Sequence, residues 1–135
     1  MQYWLIKSDP ETYGWNDMQR DKKTSWDGIR NYAARIHLRS MQKGDRCLFY
    51  HSVKKPEVVG IVEVTKTAYP DPTATDGDWS SVEVKVIQAF KRSVTLQQIK
   101  DNPDLSDMVL LRISRLSTQP VTESEYQTIV KMGGL

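Results

Sequence analysis

Trp26-Asp27-Gly28-Ile29-Arg30-Asn31 sets an indole, a carboxylate, a glycine, a guanidinium and a carboxamide within six positions. Such a set suits the recognition of a nucleobase, whose face stacks on a ring for roughly 1–3 kcal/mol and whose edge is read by hydrogen bonds. Gly28 adds access, because a residue without a side chain lets a ligand come close to the backbone. Tyr50, flanked by His51 and Ser52, and Trp79, at the end of a loop-forming stretch, are further rings with polar neighbours. Each position also has a plain structural use, the rings as core and Asp27 as a helix cap.

Catalytic arrangements find less support. Cys47 and His51 are four apart on an apolar run that reads as a strand. At ~3.3 Å per residue they share a face but stand about 13 Å apart, too far for a thiolate–imidazole pair. Cys47 is the only cysteine, which excludes an intrachain disulfide, and one cysteine with two histidines cannot assemble the usual zinc sets. No Walker loop, dinucleotide fingerprint or nucleophile elbow occurs. No metal and no cofactor are therefore expected.

The elements that must position these residues follow from periodicity and caps. Tyr3 to Lys7 reads as a strand, and Asp9 with Pro10 as the start of one short helix running to about Met18. Asp27 is placed to cap a second helix whose stripe is Ile29, Tyr32, Ala33, Ile36 and Ser40, leaving Arg30, Arg35 and Arg39 outward. Lys43-Gly44-Asp45 turns into the buried strand Arg46 to Ser52, and Lys54 to Glu57 makes a hairpin connection. Gly60–Thr67 and Ser81–Ile87 alternate in period two, with a loop from Tyr69 to Asp78 between them. Thr95/Gln98 and Thr122/Glu125 are capping boxes, the last helix stopping at Gly133-Gly134. Met108 to Val121 is β-branched enough to include another strand. These elements sum to one α+β domain over residues 1–135, a mixed, largely antiparallel β-barrel of about five or six strands with peripheral helices.

The formal net charge of +2 is unevenly placed. From Arg20 to Lys55 ten Lys or Arg face three acids, whereas Pro56 to Ser81 holds one lysine against five acids. A basic block of this kind is either a solvated face or a phosphate-attracting surface. No apolar run approaches the length of a membrane span, and the amino-terminal residues lack a signal-peptide pattern. A soluble monomer of cytosol or nucleus, away from the membrane, is the expectation.

Four blocks together carry a family resemblance. Tyr3 to Tyr13, Trp26 to Arg35, Lys43-Gly44-Asp45 with Phe49 to Ser52, and Val109 to Ser117 are similar to the EVE domain family over essentially the whole chain. The resemblance implies a PUA-like fold related to YTH domains, which read methylated adenine, and to SRA domains, which read methylated cytosine. It implies a non-catalytic reader whose partner is a nucleic acid with a modified base, first a modified cytosine in DNA, with RNA open. By matching position, Ser8 follows the first strand as the Lys-Ser dipeptide of YTH pockets does, and Trp26 with Asn31 matches a tryptophan-led helix start. Tyr50 and Ser52 match a second-strand wall, and Arg112 and Arg115 a late basic strand. The second aromatic wall falls to Trp79 or Tyr69. On this reading Trp26 stacks on the base, helped by Tyr50 or Trp79, while Ser8, Asp27 and Asn31 bond its edge beside Gly28. Arg30, Arg35 and Arg39, with Arg115, then meet phosphates. The competing readings are a hydrolase of a modified nucleoside, resembling ASCH-type amidohydrolases and drawing on Lys7, Asp27 or His51, and a protein-binding adaptor with an empty pocket.

Overall fold

The computed structural model describes residues 1–113 and 115–135. Trp4, Leu5 and Ile6 are all buried, so β1 (Tyr3–Ser8) has both faces covered and lies inside the sheet. It runs parallel to β3 (Arg46–His51), with Tyr3 opposite Arg46 and Ser8 opposite His51. β3 pairs antiparallel with β4 (Glu57–Pro70), and β4 with β5 (Ser80–Thr95). The short strands β2 (Lys23–Trp26) and β6 (Thr118–Val121) join antiparallel to β5 and β1. The order is β2-β5-β4-β3-β1-β6.

This sheet is mixed and largely antiparallel, as expected, but it does not close into a barrel. β2 and β6 are edges of four residues each, and no ladder joins them among the described residues. Pro120 in β6 has no backbone N–H to offer a further neighbour, which marks an edge. Register shifts along β4 and β5 curl the sheet instead.

Alternation along the central strands builds a core on each face. Trp4, Ile6, Cys47 and Phe49 point to one side and pack with Met18, Ala34 and Leu38 from α2 (Trp15–Asp21) and α3 (Tyr32–Ser40). Leu5, Leu48 and Tyr50 point to the other and meet Ile99 of α4 (Leu96–Asp101) and Ile129 of α6 (Glu123–Met132). Both of the latter helices start at the expected capping boxes. Asp45, buried in the turn before β3, accepts from the Trp4 indole and from the N–H groups of Gln2 and Gln42, at 2.9–3.0 Å.

Three local expectations need correction. Asp9 and Pro10 do start α1 (Pro10–Tyr13), but that helix breaks at Gly14, where the Asp17 carboxylate takes the Gly14 N–H at 2.8 Å and starts α2 afresh. α3 is capped by Asn31, whose Oδ1 accepts from the Ala34 N–H at 3.0 Å, so Asp27 caps nothing and lies in the preceding loop. The buried face of α3 is Ala34 and Leu38, continued by Met41, while Tyr32 is 67% and Ile36 61% exposed. Both faces have helical spacing, and the small Ala34 lets the helix approach the sheet. The strand expected within Met108 to Val121 is β6, reached after the helical turn α5 (Val109–Arg112).

Gly60 shows how tightly the first core is closed. A Cβ there would stand 2.3 Å from two ring carbons of Trp15, whose ring is held by Phe49 at 5.2 Å. Gly60→Ala is expected to cost about 1–3 kcal/mol through overpacking. A urea midpoint equal to the parent's would show that Trp15 swings aside freely.

Candidate functional site

A cavity of about 470 Å³ opens at the carboxyl end of β1. That size falls in the range of roughly 300–1,000 Å³ usual for small-molecule sites. One wall is Lys7, Ser8 and Asp9, continued by Thr12 and Tyr13 of α1. The opposite wall is β2 from Thr24 to Trp26 with the following loop, Asp27 to Ile29. Trp26 is only 7% exposed. Its ring is held edge-on by Phe49 at 5.5 Å and by Tyr13 at 6.1 Å. The Tyr13 hydroxyl donates to Asp21 at 2.8 Å, which fixes that ring in turn. The Ser8 hydroxyl donates to the Tyr13 carbonyl, and the Ser25 hydroxyl shares a 2.6 Å bond with that of Tyr69. An aromatic corner therefore stands among oriented polar groups.

The rim beyond Trp26 is organised by one buried carboxylate. Asp71, whose side chain is fully buried, accepts from the Gly28 N–H and from Arg30, both at 2.9 Å. It also accepts from the N–H and hydroxyl of Thr73. Burial alone would raise its pKa, but the bonds from Thr73, Arg30 and Gly28 outweigh that and hold it well below the carboxylate range. Gly28 has φ +77°, a turn that glycine enters without strain. Arg35 donates to the Asp78 carbonyl at 2.7 Å, and Arg39 to Ser80 at 2.9 Å and to the Asp78 carboxylate at 2.9 Å. Trp79 stacks on Tyr32 at 5.3 Å with Arg30 and Arg35 over its ring. The basic and acidic blocks of the sequence thus meet, and the three arginines strap the β4–β5 loop to α3 and to the segment that leads into it.

Of the residues singled out by sequence, Ser8, Trp26, Asp27 and Gly28 come together around the cavity. The others lie elsewhere. Tyr50 is on the opposite face of the sheet, because side chains alternate along β3, and its neighbour Phe49 is the ring that reaches Trp26. Asn31 is engaged as the α3 cap, and Ser52 donates its N–H and hydroxyl to the Ser8 carbonyl. Trp79 belongs to the strapped loop. Arg112 ends α5, donating to the Asp107 carbonyl at 3.0 Å, and Arg115 is exposed in the turn before β6, so neither sits on a strand. Ser114, within the fourth matched block, lies outside the described residues.

Lys7, Tyr13, Thr12, Thr24 and Ser25 were not anticipated at the cavity for base contact. The only signal for Tyr13 was its place in the first matched block, and β2 is too short and polar to announce itself. Burial lowers the Lys7 pKa, and burial with the charge of Asp71 raises that of Asp27 against the opposing charge of Arg30. His51 accepts the Trp15 N–H at Nε2, 3.0 Å away, and burial lowers its pKa against the pull of Glu57. Burial pushes the Cys47 thiol up, out of reach of nucleophilic chemistry near neutral pH.

The family model of the EVE domain matches residues 2–132. The chain belongs to the EVE domain family. This EVE domain is 35% identical to chicken thymocyte nuclear protein 1 over 96% of the chain and 68% of that relative. It superposes on a crystal structure of an Agrobacterium tumefaciens protein with TM-score 0.95 and 42% identity, covering 100% of this chain and 94% of that one. Human THYN1, solved in complex with DNA containing 5-methylcytosine, gives TM-score 0.88 and 31% identity, covering 100% of this chain and 99% of that one. A YTH domain of Zygosaccharomyces rouxii, solved with N6-methyladenosine RNA, shares the fold at TM-score 0.64 and 19% identity, covering 98% of this chain and 86% of that one. The EVE domain is therefore a mixed α+β, PUA-like fold with an open six-stranded sheet. Among the described residues no helix is long and apolar enough to cross a membrane.

Proposed function

We propose that this EVE domain is a non-catalytic reader that takes a modified cytosine of DNA into the cavity beside Trp26. The observation that carries the reading is the aromatic corner of Trp26 and Tyr13, bordered by Ser8, Thr12, Ser25 and Asp27, in a chain similar to one solved with 5-methylcytosine DNA. Tyr13, the less buried ring, offers the larger stacking face, and Trp26 closes the corner behind the base. Arg30, Arg35 and Arg39 contribute to phosphate attraction chiefly by holding the loop at the rim, since their guanidinium groups already have protein partners. The hydrolase reading is weaker: of its three candidates His51 is held by Trp15 and does not line the cavity. Titration of the full chain with single strands carrying one 5-methylcytosine or one plain cytosine tests the proposal. Equal affinity for both at low salt overturns it.

Asp27 supplies a pH signature. An ionised carboxylate accepts from the cytosine amino group, and this carboxyl has a pKa raised above the ordinary 3.8 by burial and by Asp71. Affinity for a cytosine in the cavity, methylated or plain, is therefore expected to fall as pH drops through that raised value, sooner than for an unperturbed aspartate. In Asp27→Ala the fall should vanish together with part of the affinity. A pH profile identical in parent and variant would remove Asp27 from base recognition.

A further inference from the structure

Val53, at the tip of the β3–β4 hairpin, has φ +77° and is 66% exposed. Branching at Cβ makes this left-handed conformation unfavourable for valine, and glycine or asparagine would fill the turn without strain. The side chain belongs to neither core. A residue that breaks the local rule without a packing gain marks a place to look for function.

The surroundings of the tip say what function. Ser52 donates its N–H at 2.9 Å and its hydroxyl at 3.2 Å to the carbonyl of Ser8, fixing the hairpin to the cavity wall. Lys54 reaches Glu11 of α1 at 2.7 Å and Lys55 reaches Glu57 at 3.5 Å, with both lysine side chains largely in water. Together with Lys100 they line a shallow depression beside the tip. An exposed apolar side chain flanked by lysines therefore lies one residue beyond the bonds that tie the hairpin to Ser8 of the cavity wall.

We propose that Val53 is a wedge that enters the base stack of duplex DNA when a base leaves it for the cavity, while Lys54 and Lys55 hold the adjoining phosphates. The inference rests on the base-reader assignment and extends it to the form of the substrate. Apolar wedges that part base steps are a general device of proteins that deform a duplex, and an exposed ion pair such as Lys54–Glu11 is weak enough to give way to phosphates. The occupant is a duplex, because a single strand delivers its base without any stack to hold open.

The test compares the full chain with Val53→Gly on a labelled duplex carrying one 5-methylcytosine and on the corresponding single strand. A 2-aminopurine beside the methylated cytosine reports unstacking. The variant should melt no lower than the parent, since glycine suits the turn, and should bind the single strand within about twofold. Its duplex affinity should fall about tenfold, with loss of the 2-aminopurine signal. If Val53→Gly melts lower, Val53→Asn, which also tolerates the turn, takes its place. Unchanged duplex binding overturns the wedge, and so does an equal loss on duplex and single strand. A parent that shows no preference for the methylated single strand overturns the reader assignment itself and the wedge with it, a result visible without any variant.

Discussion

Trp26→Ala should lose about 3–5 kcal/mol of unfolding free energy, the usual cost of emptying a large buried aromatic site. The ring is 7% exposed and wedged between Phe49 and Tyr13, so its removal opens a void between β2 and the central strands. The same void lies behind the cavity, and Tyr13 would lose the edge contact that keeps its ring upright. Whatever fraction stays folded should therefore bind modified and plain cytosine almost equally. Trp26→Phe separates the two effects, because it retains an apolar ring and about half of the packing while changing the corner's shape. Urea unfolding followed by circular dichroism, with oligonucleotide titration of both variants below their transitions, measures each part. A stable Trp26→Ala that keeps its full preference would place the ring in neither the core nor the site.

Asp71→Ala should cost about 1–3 kcal/mol, the penalty of leaving donors that a buried carboxylate satisfied without an acceptor. Four hydrogen bonds end on this carboxylate, and their loss frees Gly28, Arg30 and Thr73 at once. The pH dependence identifies the cause. Because the folded-state pKa lies below the ordinary 3.8, ionised Asp71 stabilises the fold at every pH above that value. Its contribution declines as pH falls below 3.8 toward the depressed folded value. The stability gap between parent and Asp71→Ala should accordingly be constant from neutral pH to about pH 5 and shrink below pH 4. Denaturation midpoints of both proteins at pH 7 and pH 3 give the gap directly. A gap that does not change would mean that the loop is held by backbone and arginine contacts instead.

What local physics determines was legible in the residue order. Asp9 with Pro10, Thr95 with Gln98 and Thr122 with Glu125 start helices because the capping side chain and the N–H groups it satisfies are at most three residues apart. The run Arg46 to His51 forms a strand because its short, continuous apolar segment from Cys47 to Tyr50 can be buried on both faces. The family blocks likewise located Ser8, Trp26, Asp27 and Gly28 near one another. Tertiary structure decided what depends on partners distant in the chain. Period-two alternation says that Phe49 and Tyr50 face opposite sides, but only the placement of α2 and β2 determines which of them meets Trp26. Helical periodicity in α3 fits two faces, and the sheet selected the one carrying Ala34 and Leu38. The pairing of the arginines is invisible in the residue order because their partners, Asp71 and Asp78, are about forty residues away, on a loop with its own excess of acids. The barrel expected from strand count stayed open for a related reason. Closure requires two edges with complementary length and tilt, and β2 and β6 are four-residue strands that each serve a single neighbour.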